Sequence, residues 1–193
     1  AAFYGIHSKE ATEEVERFLK VVSDLPINIC DLHSIKDDYE NIIFEGAQGI
    51  MLDMDFGHFP HVTRSNTTSK NALEIIKECG LPAPEIFYVM RSYATRHGNG
   101  PFAYEDSSIK FEDHTNITHD FQGAFRQGFH SPNELRYALD SDDTFSKGLN
   151  KNMVITCLNQ TDDTILIGSE RRSIEEFVSW LDMDNVYLSR DKE

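Results

Sequence analysis

One stretch narrows the possibilities for this chain more than any other: Phe44 to Thr68, FEGAQGIMLDMDFGHFPHVTRSNTT. The apolar run Ile42-Ile43-Phe44 predicts a short buried strand over 42–45, and Gly46 and Gly49 bracket a glutamine just after it. Glycine tolerates positive φ and lets backbone N–H groups come close to a ligand. A strand that empties into a Gly-rich turn is a common way for α/β proteins to present polar groups at the carboxyl end of a sheet. Asp53 and Asp55 follow, two apart, so an extended backbone puts both carboxylates on one face and Leu52 and Met54 on the other. The pair reads either as a turn stabiliser or as metal ligands. Thr63, Ser65, Asn66, Thr67 and Thr68 then crowd short hydrogen-bonding side chains together, a density that is costly in a core unless something polar is bound. The plainer alternative is a glycine turn followed by a polar loop.

A chain of 193 residues is long enough for one domain with a sizeable core, and thirteen Phe and seven Tyr are available to fill it. No internal repeat or low-complexity linker divides it, so residues 1–193 read as a single domain. The net charge of −15 argues against a nucleic-acid partner, which wants a basic face, yet leaves room for a nucleotide, whose phosphates need only a few local donors. No apolar run nears the ~18 residues of a membrane span, and the opening AAFYGIHSKE lacks a secretory h-region. Cys30, Cys79 and Cys157 are odd in number and widely spaced, and they read as reduced thiols of a cytoplasmic protein.

Local patterning predicts an amphipathic helix over 8–24, with Val15, Phe18, Leu19 and Val22 at helical spacing, closed by Leu25-Pro26. A second helix is expected over 71–79, stopped by Gly80, and a third over 132–139, capped by Ser131. A last helix over 174–181 follows Ser173. Strands are expected over 85–93, 154–158 and 165–167, with a short terminal one at Tyr187-Leu188. The alternation predicts an α/β fold with a mainly parallel sheet flanked by helices. Three turns, 44–49, 94–102 and 156–159, should gather at its strand ends, where ligands of such sheets bind.

The order Phe44-Glu45-Gly46-Ala47-Gln48-Gly49, Leu52-Asp53, Gly57, Pro60, Val62-Thr63 and Ser65-Asn66-Thr67-Thr68 resembles the signature of adenylosuccinate synthetase. That family joins aspartate to the 6-position of a purine nucleotide at the expense of a nucleoside triphosphate. The resemblance implies that Gln48, with Gly49 beside it, meets the purine 6-position edge and that Thr63 meets the 5′-phosphate. Further on, Tyr93, Thr95, Arg96, Gly98, Gly100, Pro101 and Phe102 match the family's Tyr-x-Thr-Arg-Val-Gly-x-Gly-Pro-Phe turn. His97 replaces the valine that lies against the substrate sugar there, and it reads either as a structural or exposed histidine or, from its position in the resemblance, as a sign of altered sugar recognition.

Residues 115–128 lack the Thr-Thr-Gly-Arg-x-Arg-Arg loop of the common members. Their Asn-x-Thr, Phe-Gln-Gly and Arg-x-Gly pieces resemble the shorter archaeal branch and the phage branch that makes 2-aminoadenylosuccinate from dGMP. By that likeness Asn116, Thr118, Gln122 and Arg126 are candidates to receive aspartate or the ribose; otherwise the segment is a polar loop before a helix. Thr156-Cys157-Leu158-Asn159 resembles the family's Thr-Lys-Leu-Asp, with Asn159 in place of the aspartate that accepts from guanine of GTP. An amide both donates and accepts, which suits adenine. Gly168, Ser169 and Arg171 resemble the turn beside that same base, completing with Thr156 a triphosphate base pocket.

The family's Gly-Asp-Glu-Gly-Lys-Gly phosphate loop, with its catalytic aspartate, and the catalytic histidine that follows are not found in these residues. The resemblance therefore implies the C-terminal part of an adenylosuccinate synthetase-like fold with no catalytic residue of its own and no turnover alone. Its substrates are implied to be a purine nucleoside monophosphate (IMP or dGMP), L-aspartate and ATP or GTP, with Mg2+ held mostly by ligands outside this chain. A homodimer or an N-terminal partner half is implied as the assembly. The alternatives are a non-catalytic nucleotide-binding or assembly module and a dimerisation fragment.

Overall fold

A computed structural model describes residues 8–26, 30–113, 116, 118, 120 and 123–190. Two compact units are present, 1–42 and 43–193, and each is described by itself. In the first, helix α1 (Ser8–Asp24) follows the expected bounds and is laced by Lys9–Glu13, Glu14–Arg17 and Lys20–Asp24 ion pairs at helical spacing. Its apolar stripe, Val15, Phe18, Leu19 and Val22, is exposed. Helix α2 (Leu32–Ile35) is a single turn, capped by Asp31 accepting from Ser34 N (2.8 Å), and a 3-10 turn over Lys36–Asp38 continues it.

The second unit holds helix α3 (Lys70–Glu78), strands β1 (Ile86–Arg91), β2 (Ala94–His97) and β3 (Phe125–Gly128), and helix α4 (Pro132–Ser146). Strands β4 (Lys151–Thr156), β5 (Thr164–Ile167) and β6 (Glu170–Ser173), helix α5 (Ile174–Trp180) and strand β7 (Asn185–Leu188) complete it. Strands β1, β4 and β7 form a parallel sheet in that order, with Arg91 level with Thr156 and Ile155 level with Leu188. The mixed α/β architecture with a parallel sheet is the one the sequence predicts. One sheet face carries the core. Met153, Ile155, Leu158, Ile165, Ile167 and Phe177 are at most 1% exposed and pack with Tyr88, Met90 and Val186 of the sheet and Leu135 and Leu139 of α4. The other face shows Phe87, Val89 and Tyr187 to solvent.

The caps explain where the helices begin and end. Ser131 accepts from Glu134 N (3.3 Å) ahead of Pro132, whose missing N–H costs nothing at the first helical position. Ser173 and Glu176 form a reciprocal capping box. Gly80, at φ +62, lets Gly80 N reach Lys77 O (3.2 Å) and Leu81 N reach Ile76 O (2.9 Å), which closes α3.

Three expectations are corrected. Residues 42–45 form no strand; Ile43 is 88% exposed, and an apolar run is held extended only where a partner edge accepts its backbone bonds. Helix α4 runs seven residues past Leu139, through Asp140-Ser141-Asp142-Asp143. Local composition disfavours that extension, but Asp142 (1% exposed) turns inward and accepts from Ser69 N (2.6 Å), Ser69 Oγ (3.1 Å), Tyr88 OH (2.6 Å) and Ser146 Oγ (2.9 Å). Finally, two antiparallel pairs, β2–β3 and β5–β6, stand where single strands and turns were expected. Gly168 and Ser169, both at positive φ, make the tight hairpin turn of the second pair.

Two stability measurements check this construction. Asp142→Ala strands the Ser69 N–H and Tyr88 O–H in the interior, and urea unfolding should lose roughly 2–4 kcal/mol; a loss near zero contradicts the clamp. The second concerns His130, which donates Nε2–H to Arg91 O (2.9 Å) and whose pKa is pushed down from 6.5 to about 4 by desolvation, against the opposing pull of that bond. Between those values the unfolded chain binds the extra proton, so this contribution is full above pH 6.5 and is lost as pH falls through 4. His130→Gln, which keeps a donor, should flatten the pH dependence of stability across that window by on the order of 1–3 kcal/mol. An unchanged slope contradicts it.

Candidate functional site

The 44–69 segment is folded around one carboxylate. Asp53 is fully buried; Oδ1 accepts from Asp55 N (2.8 Å) and Asn66 Nδ2 (3.4 Å), and Oδ2 from Thr67 N (2.5 Å) and Thr68 N (3.2 Å). Burial raises the pKa of this carboxyl, but the four donated bonds outweigh it and hold the group below its ordinary value. Asp55 joins the same turn by accepting from Asn66 Nδ2 (2.8 Å). This is the turn-stabilising arrangement of the pair. Thr67 Oγ1 donates to Gly49 O (2.9 Å) and Thr63 N to Leu52 O (2.8 Å), so the two ends of the loop are laced together.

Within the loop the positive φ belongs to Gln48 (φ +70), not to its glycines; Gly49 is extended at φ −94. A non-glycine residue in the left-handed region is uncommon and stores strain. The Gln48 side chain is exposed, and a Cβ added at Gly46 or Gly49 would meet nothing within 4 Å, so the surface around it is open. Helix α4 supports the loop from behind. Tyr137 OH donates to Phe56 O (3.1 Å), and Glu134 bonds His58 Nε2 (3.1 Å).

The β2–β3 ribbon carries the next candidates, on two faces. Arg126 lies opposite Arg96 and His97 opposite Phe125. Arg126 pairs with Glu105 through Nε (3.0 Å) and Nη2, donates Nη1 to Gly98 O (3.0 Å) and Gly100 O (2.9 Å), and lies over the Phe102 ring. The Glu105 bonds raise the Arg126 pKa and lower that of Glu105. His97 sits edge-on to Phe125 (5.7 Å), and its Nε2 is buried with no hydrogen-bond partner among the described residues. On that side Arg91 lies over the Phe125 and Tyr93 rings and pairs with Asp113 (2.7 Å). Asp113 in turn accepts from Asn116 N (2.9 Å) and Asn116 Nδ2 (3.0 Å). Asn116 is bonded to Asp113, whereas Arg126, expected to act with it, is bonded to Glu105 and to the Gly98 and Gly100 carbonyls. Thr118 is exposed, and Gln122 lies outside the described residues.

The ends of β1 and β4 lie side by side, joined by Ser92 N to Thr156 O (2.8 Å) and Ser92 Oγ to Cys157 O (3.0 Å). Thr156 Oγ1 donates to Met90 O (3.2 Å). Asn159 follows in a 3-10 turn over Leu158–Gln160 with its side chain exposed. Arg171 reaches the same segment, donating Nη1 to Thr161 O (3.2 Å), and Gly168 N donates to His130 O (2.9 Å) beside exposed Ser169. Thr156, Asn159, Gly168, Ser169 and Arg171 therefore flank one segment, while Gln48, Gly49 and Thr63 share another. Turn 156–159 ends a sheet strand as expected; turn 44–49 does not follow one.

Sequence reading passed over Arg91, Asp113 and Gln160, whose side chains knit the sheet end together with Tyr93 (OH to Gln160 Oε1, 3.0 Å). An arginine closing a strand of apolar residues was the available signal. Among the described residues no group of three His, Cys, Asp or Glu is placed to hold a metal, and both Asp53 oxygens are committed to donors. The described residues do not gather a Mg2+ site.

A family model for adenylosuccinate synthetase matches residues 2–124. The adenylosuccinate synthetase of Flavobacterium psychrophilum is 36% identical over 117 residues, covering 58% of this chain and 27% of the relative. That of Methylococcus capsulatus is 38% identical over 116 residues, 53% of this chain and 25% of the relative. That of Candida glabrata is 35% identical over 125 residues, 61% and 28%. The chain spans about a quarter of the length of these curated relatives. Among solved structures, the fully ligated adenylosuccinate synthetase from Plasmodium falciparum shares the fold, with a TM-score of 0.54 at 23% identity over 83% of this chain and 38% of that one. With its glycine turn, buried aspartate and Thr/Ser loop inside a family match that takes in most of its length, this chain belongs to the adenylosuccinate synthetase family.

Proposed function

We propose that residues 1–193 are one adenylosuccinate synthetase-like domain, the part of a purine nucleotide ligase that receives the monophosphate. That ligase joins L-aspartate to the 6-position of IMP, or of dGMP as in the phage-type branch, with hydrolysis of a nucleoside triphosphate. The observation that carries the reading is the family-matched loop itself, wound tightly on Asp53 while Gln48 is held strained and exposed at its tip. Preorganised donors aimed at a reacting oxygen are what such chemistry requires. In this reading Gln48 and Gly49 meet the purine edge, Thr63 the 5′-phosphate and His97 the sugar. Asn116, Thr118, Gln122 and Arg126 serve aspartate or the ribose, and Thr156, Asn159, Gly168, Ser169 and Arg171 line the triphosphate base pocket.

The same reading assigns phosphoryl transfer, and the Mg2+ that usually neutralises its charge, to groups other than those described here. The ligase works in the cytoplasm, as a homodimer or with an N-terminal partner half. No described helix is long and apolar enough to cross a membrane.

Aspartate ligation to IMP and to dGMP, with ATP and with GTP, tests the reading in the chain alone and in the complete ligase. The chain alone should give no product above a protein-free control, for want of a phosphate loop that supplies several kcal/mol of transition-state stabilisation. In the complete ligase Gln48→Ala should cost roughly 1–3 kcal/mol in monophosphate binding or kcat/KM. Nucleotide binding without ligation in any assembly would support a non-catalytic module instead.

Donor choice is a separate expectation. Asn159 offers adenine an amide that accepts from N6–H₂ and donates to N1, while guanine loses a charged acceptor worth about 1.5–3 kcal/mol. The complete ligase should use ATP at least as well as GTP, and Asn159→Asp should shift kcat/KM toward GTP. A strong GTP preference that the substitution leaves unaltered refutes the assignment.

A further inference from the structure

The segment that leads to Asn116, residues 111–113, is held against the carboxyl end of the parallel sheet by side chains from several elements. Gln127 of β3, 8% exposed, bonds Phe111 in both directions: Phe111 N donates to its Oε1 (2.8 Å), and its Nε2 donates to Phe111 O (2.9 Å). Those are the two bonds that an opposite residue of an antiparallel strand exchanges, supplied here by one amide. The Phe111 ring lies against Tyr93 (centroids 4.3 Å), and Gln160 Nε2 donates to Glu112 O (3.2 Å).

Asp113 comes next, with its side chain 7% exposed, and Arg91 supplies the counter-charge (Nη1 to Oδ2, 2.7 Å). A buried carboxylate that loses its cation is left uncompensated, so the place of Asp113 depends on Arg91. The Arg91 guanidinium lies over the Tyr93 and Phe125 rings (5.8 and 5.7 Å) and donates to Tyr93 OH (3.3 Å). Asp113 in turn accepts from Asn116 N at Oδ1 and from Asn116 Nδ2 at Oδ2, so one carboxylate fixes both the backbone and the amide of Asn116. Among the described residues the Arg91 side chain bonds none of the candidate ligand residues itself; it reaches Asn116 through Asp113.

We propose that Arg91 is a positioning residue of the ligase: through Asp113 it sets the Asn116 amide toward the substrate group that Asn116 receives. The assignment rests on the reading, given above, that Asn116 serves aspartate or the ribose. Steady-state kinetics of the complete ligase, with aspartate and the monophosphate varied in turn, test it, with thermal melts to monitor folding. The variants are Asn116→Ala, Arg91→Met, Arg91→Lys and the double variant Arg91→Met/Asn116→Ala. Asn116→Ala should raise one of the two KM values by about fivefold or more, and the constant that rises tells aspartate from ribose. Arg91→Met should raise that same KM, with kcat within about twofold of the parent. Because Arg91 acts through Asn116, the double variant should be no worse than Asn116→Ala alone. Arg91→Lys keeps the charge without the planar fork and should fall between parent and Arg91→Met; it carries the test, alone and with Asn116→Ala, if the methionine variant does not fold. Parent KM values in the Arg91 variants, or losses that add in the double variant, overturn the proposal while leaving Asn116 in the site. If Asn116→Ala changes neither KM, the reading of Asn116 falls and this assignment falls with it.

Discussion

Burying a carboxylate without a cation is the constraint around which this unit is built. Asp53 and Asp142 are both removed from solvent, and neither has an ion-pair partner among the described residues. Each charge is sustained instead by a ring of short-range donors: backbone N–H groups of residues 55, 67 and 68 around Asp53, and the Ser69, Tyr88 and Ser146 groups around Asp142. Such sites are intolerant, because a donor moved by an ångström leaves a bare charge in a poor solvent. The chain between Thr67 and Ser69 is therefore gripped twice, by Asp53 on one side and Asp142 on the other. That double grip fixes where the loop ends and where α3 begins.

Rigidity in the loop holds its exposed tip in one conformation. A glutamine at positive φ persists only when its surroundings over-determine it, and the lacing of Gly49 to Thr67 and of Thr63 to Leu52 supplies that determination. Binding groups mounted on a frame of this kind lose little freedom when a ligand arrives, which is the general advantage of preorganisation.

Much of this was legible in the chain. The α/β class followed from alternating periodicities, and the helix starts at Pro132 and Ile174 followed from Ser131 and Ser173, whose hydroxyls do what their position suggests. The motif at 44–68 was legible as a family signature because its residue types and order are unusual together. Other features were not, for physical reasons. The last two turns of α4 read as polar breaker sequence, since Asp142 earns its place through Ser69 and Tyr88, far away in sequence. Ile42-Ile43-Phe44 looks like a strand, but pairing is a property of a neighbour and not of the run itself. The two faces of β2–β3, which separate Arg126 from His97, depend on a register that a one-residue slip would invert.

Helix α4 spans roughly 22 Å at 1.5 Å per residue, and contacts with both candidate nucleotide sites are strung along it. Just before its first turn, His130 takes the Gly168 N–H of the hairpin that flanks Asn159. Further along, Glu134 and Tyr137 hold residues 56–58, and Asp142 holds the start of α3. The two sites hang from a single rod, so their spacing is a matter of leverage and not of the loops between them. A tilt of α4 moves both together, whereas the loops can vary in sequence without changing the gauge that sets the two apart.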